Sequence, residues 1–258
     1  MILLRSLVFN VCFYILLSVL MVLGVPVLLS RRRRSVQSWA RLWAQSSLVL
    51  LRYTCNLKVE FRGLEHMPAG ASMIASKHQS FLETFALLCV VPDFTFVHKS
   101  ELGRLPFFGW YLKGTGQISI DRARRTAALN EVAKASRRIF AEGRQLIIFP
   151  EGTRQPVGAP PEYKASAAFV QAETGVVCVP VALNSGLFWP RRQFRRYPGT
   201  IVIEFLEPIA PGLRKSEFMK LLQERIETAT NRLVADACAA NPELACGKLA
   251  GPKPSMEL

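Results

Sequence analysis

An uncharged and largely apolar stretch runs from Ser6 to Ser30 and limits what the first part of this chain can become. About 20 apolar residues span a bilayer as a helix. The apolar part of a secretory signal peptide is shorter, and a cleavage site of small residues follows it. Here Arg31 to Arg34 follow directly, which favours a retained anchor with its basic flank on the cytoplasmic side. Gly24 and Pro26 are expected to break the helix before it finishes crossing.

The segment after this run is amphipathic. Apolar residues recur near helical spacing, with polar residues between them: Trp39, Leu42, Trp43, Leu50 and Tyr53 alternate with Arg41, Gln45 and Arg52. Tryptophans beside arginines fit a helix in the headgroup region of a membrane. A helix packed on a domain core fits the same periodicity. We therefore expect residues 1–55 to form a membrane anchor and an amphipathic helix.

Strand and helix patterns alternate through the rest of the chain. Strands are predicted at 57–62, 73–76, 94–98, 117–120, 145–149, 176–183 (broken by Pro180) and 200–206, and helices at 81–90, 126–142, 163–174 and 216–240. This order predicts an α/β domain over residues 56–240, with a central, mostly mixed sheet flanked by helices. Residues 241–258 are rich in glycine and proline toward their end and are expected to be a disordered tail.

Charge and cysteine content narrow the class of partner. The chain has 33 Lys and Arg against 19 Asp and Glu, a net charge of +14, which indicates an anionic partner such as nucleic acid, a phosphorylated substrate or an acidic membrane surface. The basic run from Arg191 to Arg196 fits nucleic acid or lipid headgroups, and the N-terminal anchor favours lipid. The six cysteines form no Cys-x-x-Cys pair, so we expect reduced thiols. No metal site, P-loop or dinucleotide fingerprint is apparent, and no cofactor is expected.

His78 and Glu83 form the most informative pair of titratable residues. They lie five positions apart, so on a regular helix their side chains would point about 140° apart. They can meet only if His78 lies at or before a helix start and Glu83 lies one turn inside. The carboxylate would then hold one ring nitrogen and leave the other free to accept a proton. In isolation, such a pair is more often an ordinary surface pair.

Three further blocks follow the His78 block: residues 116–122 (Gly-Gln-Ile-Ser-Ile-Asp-Arg), 149–154 (Phe-Pro-Glu-Gly-Thr-Arg) and 179–182 (Val-Pro-Val-Ala). In order and spacing the four blocks resemble the glycerolipid acyltransferases, specifically the 1-acyl-glycerol-3-phosphate acyltransferases. The resemblance runs from about Leu57 to Pro208. That family usually has aspartate five residues after the histidine, and we interpret Glu83 as tolerated because the charge remains. Members often carry a two-helix N-terminal element, so the anchor is either a full span or a hairpin dipped into one leaflet.

The resemblance implies acyl transfer from a thioester to a hydroxyl, with His78 as the base that takes the hydroxyl proton. Glu83 would orient the ring and stabilise the imidazolium. The chain has no Gly-x-Ser-x-Gly elbow, which argues against a lipase-like hydrolase. We interpret Ser80 as a residue of the helix start rather than a nucleophile.

The implied acceptor site lies in the later blocks. Arg122 and Arg154 would bind the phosphate of the acceptor, since the planar guanidinium matches phosphate oxygens in a bidentate fork. Gly152 would let the backbone approach closely, and Thr153 would add a hydroxyl donor. Glu151 would hold the loop or contact the glycerol. Each of these residues, like His78, follows a predicted strand, and ligands of open α/β sheets gather at that edge.

The leading hypothesis is a membrane-bound acyltransferase of the cell membrane, with its catalytic domain on the cytoplasmic side. It would move a fatty acyl group from acyl-CoA or acyl-carrier protein to the sn-2 hydroxyl of lysophosphatidic acid, giving phosphatidic acid. One alternative changes the acceptor to another lysolipid, such as lyso-ornithine lipid. The distant alternative is a non-enzymatic basic protein of the membrane surface that binds lipid or nucleic acid, which leaves the His78–Glu83 spacing unexplained.

Overall fold

The computed structural model describes residues 1–121, 126–242 and 244. Its strands are β1 Leu57–Arg62, β2 Ser72–Ser76, β3 Phe94–Lys99, β4 Ile118–Ile120, β5 Gln145–Ile148, β6 Cys178–Leu183 and β7 Gly199–Phe205. Over these ranges they form a seven-stranded sheet in the order β1-β7-β6-β2-β5-β3-β4. The β6–β7 pair is antiparallel and the other pairs are parallel. The predicted mixed sheet is therefore confirmed.

The helices lie before, between and after the strands. They are α1 Ile2–Leu23, α2 Val25–Leu29, α3 Arg33–Cys55, α4 Glu83–Ala86, α5 Phe108–Gly114, α6 Thr126–Ala141, α7 Ser166–Thr174, α8 Ser185–Phe188 and α9 Lys215–Ala240. Short 3-10 helices lie at Leu64–His66, Leu87–Cys89 and Ser100–Arg104.

Helices cover both faces of the sheet because successive strand side chains point to opposite sides. In β2, Ile74 packs in the cluster that contains residues of α1, α3 and α4. Its neighbours Met73 and Ala75 pack in the cluster formed with α6, α7 and α9. Burial on both faces explains why the inner strands read as almost continuous apolar runs.

Helices α1 and α3 form an antiparallel hairpin along the domain. At one end the Trp39 indole N–H donates to the Leu20 carbonyl at 2.8 Å, and at the other Cys55 Sγ lies 3.6 Å from the Arg5 carbonyl. As the sequence predicted, α1 ends just before Gly24 and Pro26. Among the residues that the structure describes, α1 is the one helix long and apolar enough to cross a membrane.

The inner face of α3 packs on the domain, where Val36, Ala44 and Leu51 are fully buried. Its outer face carries Tyr53, which is 79% exposed. Arg41 ties the helix to the domain by donating to the carbonyls of Leu88, Val91 and Pro92. The core-packed interpretation of this segment is thus correct for one face of the helix.

The beginning of α3 is anchored by Asp93, whose Oδ1 accepts from Arg33, from Gln37 at 3.0 Å and from Arg144 Nε at 3.1 Å. The helix therefore cannot shift along its axis without breaking ion pairs to the loop before β3. The turn end of the hairpin is consequently fixed relative to the sheet.

Several sequence predictions were wrong in detail. Strand β6 continues through Pro180, which pairs with Ala75, because a proline removes one donor and the ladder on either side persists. Helix α7 begins at Ser166, so Tyr163 precedes the helix. Cys12, Cys55, Cys89 and Cys178 are free thiols as expected, but Cys238 is disulfide-bonded.

The basic run from Arg191 to Arg196 does not form a uniform lipid-facing surface. Arg196 is buried, and its main-chain N–H donates to Ser6 Oγ at 2.9 Å while its guanidinium donates to Asn10 Oδ1 at 3.0 Å. The guanidinium also lies 4.3 Å from the centre of the Trp189 ring. Burial lowers the pKa of Arg196. Arg196 therefore attaches α1 to the domain.

The predicted disordered tail, residues 241–258, falls almost wholly outside the described residues.

Candidate active site

Two loops meet at the carboxyl edge of the sheet. His78 lies in the loop between β2 and α4, and the turn of residues 149–154 follows β5. Since β2 and β5 are adjacent and parallel, the two loops leave the sheet side by side. The N–H of Gln155 donates to the His78 carbonyl at 2.8 Å. The structure thus brings together two of the sequence blocks about 70 residues apart.

The His78 ring is half-buried and stacks on Phe149. The ring centres lie 4.0 Å apart and the planes are 18° from parallel. Stacking restricts rotation of the imidazole about its side-chain bonds. Phe149 in turn stacks on Phe96 from β3, with ring centres 6.1 Å apart. The imidazole is therefore supported by Phe149, the residue after β5, which is itself held by Phe96 of the neighbouring strand β3.

Glu151 is buried and holds the backbone of the His78 loop. Its Oε2 accepts from the His78 N–H at 2.8 Å, and its Oε1 lies 2.7 Å from Lys77 Nζ. The ammonium of Lys77 also lies 2.7 Å from Glu227 Oε1, which accepts from the Tyr163 hydroxyl at 2.8 Å. Burial raises the pKa of Glu151, and the Lys77 charge acts in the opposite direction. One buried ammonium thus serves two carboxylates directly beside His78.

Glu83 is fully buried and holds the turn that follows His78. Its Oε1 accepts from the N–H groups of Gln79 at 2.7 Å and Ser80 at 2.8 Å. The Ser185 hydroxyl donates to the same oxygen at 2.8 Å. Burial raises the pKa of Glu83 to about 7, although each of these donors lowers it. His78 precedes the helix as expected, but Glu83 is its first residue and does not lie one turn inside.

The turn after Glu151 places the remaining residues of its block. Gly152 has φ +67°, a left-handed conformation that glycine adopts without strain, and its N–H donates to the Phe149 carbonyl at 2.9 Å. Thr153 is exposed and Arg154 is half-buried. The Arg154 carbonyl accepts from Arg191 Nη1 at 2.7 Å. Arg122 lies outside the described residues, so its position at this edge of the sheet stays a prediction.

The structure adds residues that the sequence did not single out. Lys77 and Ser185 contact the two buried carboxylates, and Gln79 Oε1 accepts from the N–H of Gly186 at 3.0 Å. Ser185 follows β6, and a sequence signal for it existed in the Val-Pro-Val-Ala block just upstream. That signal could lead to Ser185 only if it were known that β6 lies beside β2, which the sequence pattern does not give. Within residues 1–121, 126–242 and 244, no three His, Cys, Asp or Glu side chains are grouped to hold a metal ion.

Comparisons with known proteins agree with this geometry. The sequence model of a family described as acyltransferase matches residues 58–184. The 1-acyl-sn-glycerol-3-phosphate acyltransferase of Pseudomonas aeruginosa is 37% identical over 174 residues, 67% of this chain and 66% of that protein. The Helicobacter pylori protein of the same name is 30% identical over 161 residues, 61% of this chain and 68% of its own length. The chain belongs to the acyltransferase family.

A solved structure shares the acyltransferase fold. The 1-acyl-sn-glycerophosphate acyltransferase PlsC from Thermotoga maritima matches with a TM-score of 0.75 and 24% identity, over 90% of this chain and 98% of that one. The chain spans about two thirds of the Pseudomonas relative and about half of two chloroplast relatives. The family match includes His78, Glu83 and the turn from Glu151 to Arg154, whereas Ser185 and Glu227 lie beyond it.

Proposed function

We propose that this acyltransferase moves a fatty acyl group from acyl-CoA or acyl-carrier protein to the sn-2 hydroxyl of 1-acyl-glycerol-3-phosphate, forming phosphatidic acid. The observation that carries the proposal is the fixed backbone of His78. Glu151 binds its N–H, and Glu83 binds the N–H groups of the next two residues. Such preorganisation is what a base needs in order to meet a substrate hydroxyl at about 2.6–3.2 Å. The names of the relatives supply the substrate class.

In the proposed reaction, one ring nitrogen of His78 takes the proton of the acceptor hydroxyl as its oxygen attacks the thioester carbonyl. The carbon–sulfur bond breaks, and the leaving thiolate takes the proton back from the imidazolium. An oxygen ester forms and a thiol is released, so no acyl-enzyme is required. Glu83 would stabilise the imidazolium through its negative charge, as well as positioning the loop.

The turn from Gly152 to Arg154 would bind the acceptor phosphate. Arg154 directly precedes Gln155, whose N–H binds the His78 carbonyl, so the turn and the base are held in one hydrogen-bonded unit. The exposed hydroxyl of Thr153 and the guanidinium of Arg154 are both phosphate donors. Arg122 would be the second arginine of this site. Because both carboxylate oxygens of Glu151 have internal partners, we assign it to holding the loop rather than to the glycerol.

Residues 1–55 would seat the enzyme on the membrane as a hairpin inserted in one leaflet. Helix α1 is attached to the domain by Phe9, Phe13 and Arg196, so one face belongs to the protein. Its remaining surface exposes Leu7, Val11 and many other apolar side chains. Apolar helix surface that the domain leaves uncovered is stabilised by burial in the hydrocarbon of a leaflet. We place it at the cell membrane, with the catalytic domain on the cytoplasmic side and the basic charge toward anionic lipid.

The test is a panel of acceptors and donors with detergent-purified protein. Labelled acyl-CoA and labelled acyl-carrier protein would each be offered with lysophosphatidic acid, lyso-ornithine lipid and monoacylglycerol. Labelled phosphatidic acid as the dominant product supports the proposal. Preferential acylation of lyso-ornithine lipid would change the acceptor and keep the chemistry. Absence of transfer with every pair would overturn the proposed enzyme activity.

A further inference from the structure

A cluster of exposed apolar side chains lies outside the site and outside the N-terminal hairpin. Leu102, Leu105, Phe107 and Trp110 are 40%, 48%, 43% and 53% exposed. The rings of Phe107 and Trp110 pack together with centres 5.0 Å apart. Single exposed apolar residues are ordinary, whereas a contiguous group marks a contact surface. We refer to these four residues as the aromatic patch. Because they are exposed, these four side chains do not serve as domain core.

The backbone of the patch is strained at one of its two aromatic residues. Phe107 has φ +59° and ψ −61°, outside the regions that bulky residues normally occupy. The surrounding turn holds this conformation, since the N–H of Gly109 donates to the Leu105 carbonyl at 2.8 Å and that of Trp110 to the Phe107 carbonyl at 3.0 Å. Strain of this kind persists where the surrounding structure enforces it and clusters at functional positions.

The patch adjoins the proposed membrane hairpin. The hydroxyl of Tyr111 donates to the carbonyl of Met21 near the end of α1 at 2.9 Å. Gly114 lies so close to α2 that a Cβ there would stand 2.8 Å from Leu28 Cδ1. The apolar face of the hairpin, which ends with the exposed Leu23 and Leu29, therefore leads toward α5.

The patch also lies toward the catalytic edge of the sheet. Strand β3 ends at Lys99, and its carboxyl end points the same way as that of β5, because the two strands are parallel. The chain runs directly from there into the patch. Exposed basic residues outnumber acidic ones near it: Lys99, Arg104 and Lys113 stand against Glu101 on its own segment, and Arg31, Arg32 and Arg34 are at the turn of the hairpin.

We propose that the aromatic patch is a second membrane contact, which inserts into the interface of an anionic bilayer beside α1. Tryptophan and phenylalanine favour this zone, and exposed lysines and arginines around them attract anionic headgroups. A single helix lying in the interface leaves the domain free to roll about the helix axis. A second contact at the catalytic edge stops this rolling and holds the His78 loop against the membrane. The inference rests on the membrane seating described under the proposed function.

The first test compares Leu105→Ser/Trp110→Ser with Leu213→Ser. Leu213 is a matched control because it is 39% exposed and precedes the first turns of α9, whose Phe218 and Leu222 pack on the opposite face of the sheet from the hairpin. Vesicles of phosphatidylcholine and phosphatidylglycerol would carry a long-chain acceptor, and a short-chain acceptor below its micelle concentration would be assayed in solution. We expect the double variant to lose at least about tenfold in kcat/KM on vesicles and to keep its activity on the soluble acceptor, with the control unchanged on both.

The second test needs no disruptive substitution. Brominated lipids quench tryptophan emission at the membrane, so Trp110→Phe should remove a large part of the quenching seen with the wild type. Unchanged quenching would contradict the inference, as would equal loss on both acceptors, which would indicate an acyl-chain path. Loss confined to acyl-carrier protein as donor would also overturn it, in favour of an acidic protein partner. Quenching is measured without turnover, so it still tests the membrane contact if the proposed acyl transfer fails.

Discussion

The main-chain N–H of His78 donates to Glu151 Oε2 at 2.8 Å, which links the proposed base directly to the block that follows β5. The same carboxylate is paired with Lys77 through its other oxygen. The two loops therefore share a single buried charge cluster. A change in that cluster is expected to reach the reaction through the position of His78, without any contact between the changed residue and substrate.

Lys77→Met should be strongly destabilising, because it leaves the carboxylates of Glu151 and Glu227 without their shared cation. Breaking a buried ion pair from one side costs about 3–5 kcal/mol. We expect such a loss in the free energy of unfolding by denaturant, and a fall in kcat larger than any rise in KM. Lys77→Met/Glu227→Gln should recover part of both. Lys220→Met, which changes an exposed lysine of α9, is the control. Equal free energies of unfolding for Lys77→Met and Lys220→Met would contradict the account.

Glu83 should make stability depend on pH between about 4.5 and 7. Burial raises its pKa to about 7 from the usual value of 4.5, so the folded state holds the proton more tightly than the unfolded state. The neutral group's contribution is fully present below about pH 4.5 and is lost as pH rises through 7, on the order of 3 kcal/mol. Relative to Glu83→Gln, the wild type should thus lose stability over this window. If the free energy of unfolding depended on pH in the same way for the two proteins, the raised pKa of Glu83 would be contradicted.

The activity of the wild type should rise over the same pH range, because the proposed mechanism uses ionised Glu83 beside the imidazolium of His78. Glu83→Gln should lower kcat by about 10²–10³-fold, corresponding to roughly 3–4 kcal/mol of transition-state stabilisation. Glu83→Asp restores the charge with a shorter reach and should retain more activity than Glu83→Gln. Equal activity of these two variants would show that charge at this position is irrelevant.

Arg154→Ala should raise KM for lysophosphatidic acid by about 10–100-fold, since charge-assisted hydrogen bonds contribute about 1.5–3 kcal/mol each. Transfer to monoacylglycerol, which lacks the phosphate, should change little. Arg138→Ala removes the same charge from an exposed position on α6 and controls for net charge. Equal losses on both acceptors would mean that Arg154 does not bind the phosphate.

Arg196→Ala should loosen the contact between α1 and the domain. It removes the guanidinium that binds Asn10 and packs on Trp189, while leaving the main-chain bond to Ser6. We expect faster proteolysis and faster hydrogen exchange in α1, and a melting temperature lower by several degrees. Arg195→Ala, the exposed neighbour, should leave all three unchanged. Identical protection of α1 in the two variants would rule out Arg196 as its attachment.

The spacing of apolar residues along the sequence predicted much of this fold. In β1 and α9, for example, the alternating and the helical spacing of apolar residues match the strand and the helix that form. The grouping of His78 with the Glu151 block followed from the rule that ligands gather at the carboxyl edge of parallel strands. The partners of the buried charges were not predictable. Lys77 meets Glu227 across 150 positions, and Ser185 reaches Glu83 only because β6 lies beside β2. Such contacts depend on strand order, which periodicity does not contain.

The central claim is that His78 is the base for acyl transfer, and His78→Ala tests it most directly. Wild type, His78→Ala and His66→Ala would be assayed with labelled acyl donor and lysophosphatidic acid, after thermal melts show that all three are folded. His66 binds the Phe205 carbonyl at 2.8 Å and serves as a matched histidine control. The account predicts phosphatidic acid from wild type and His66→Ala, and a loss of at least about 10³-fold in His78→Ala. Undiminished transfer by folded His78→Ala would contradict it.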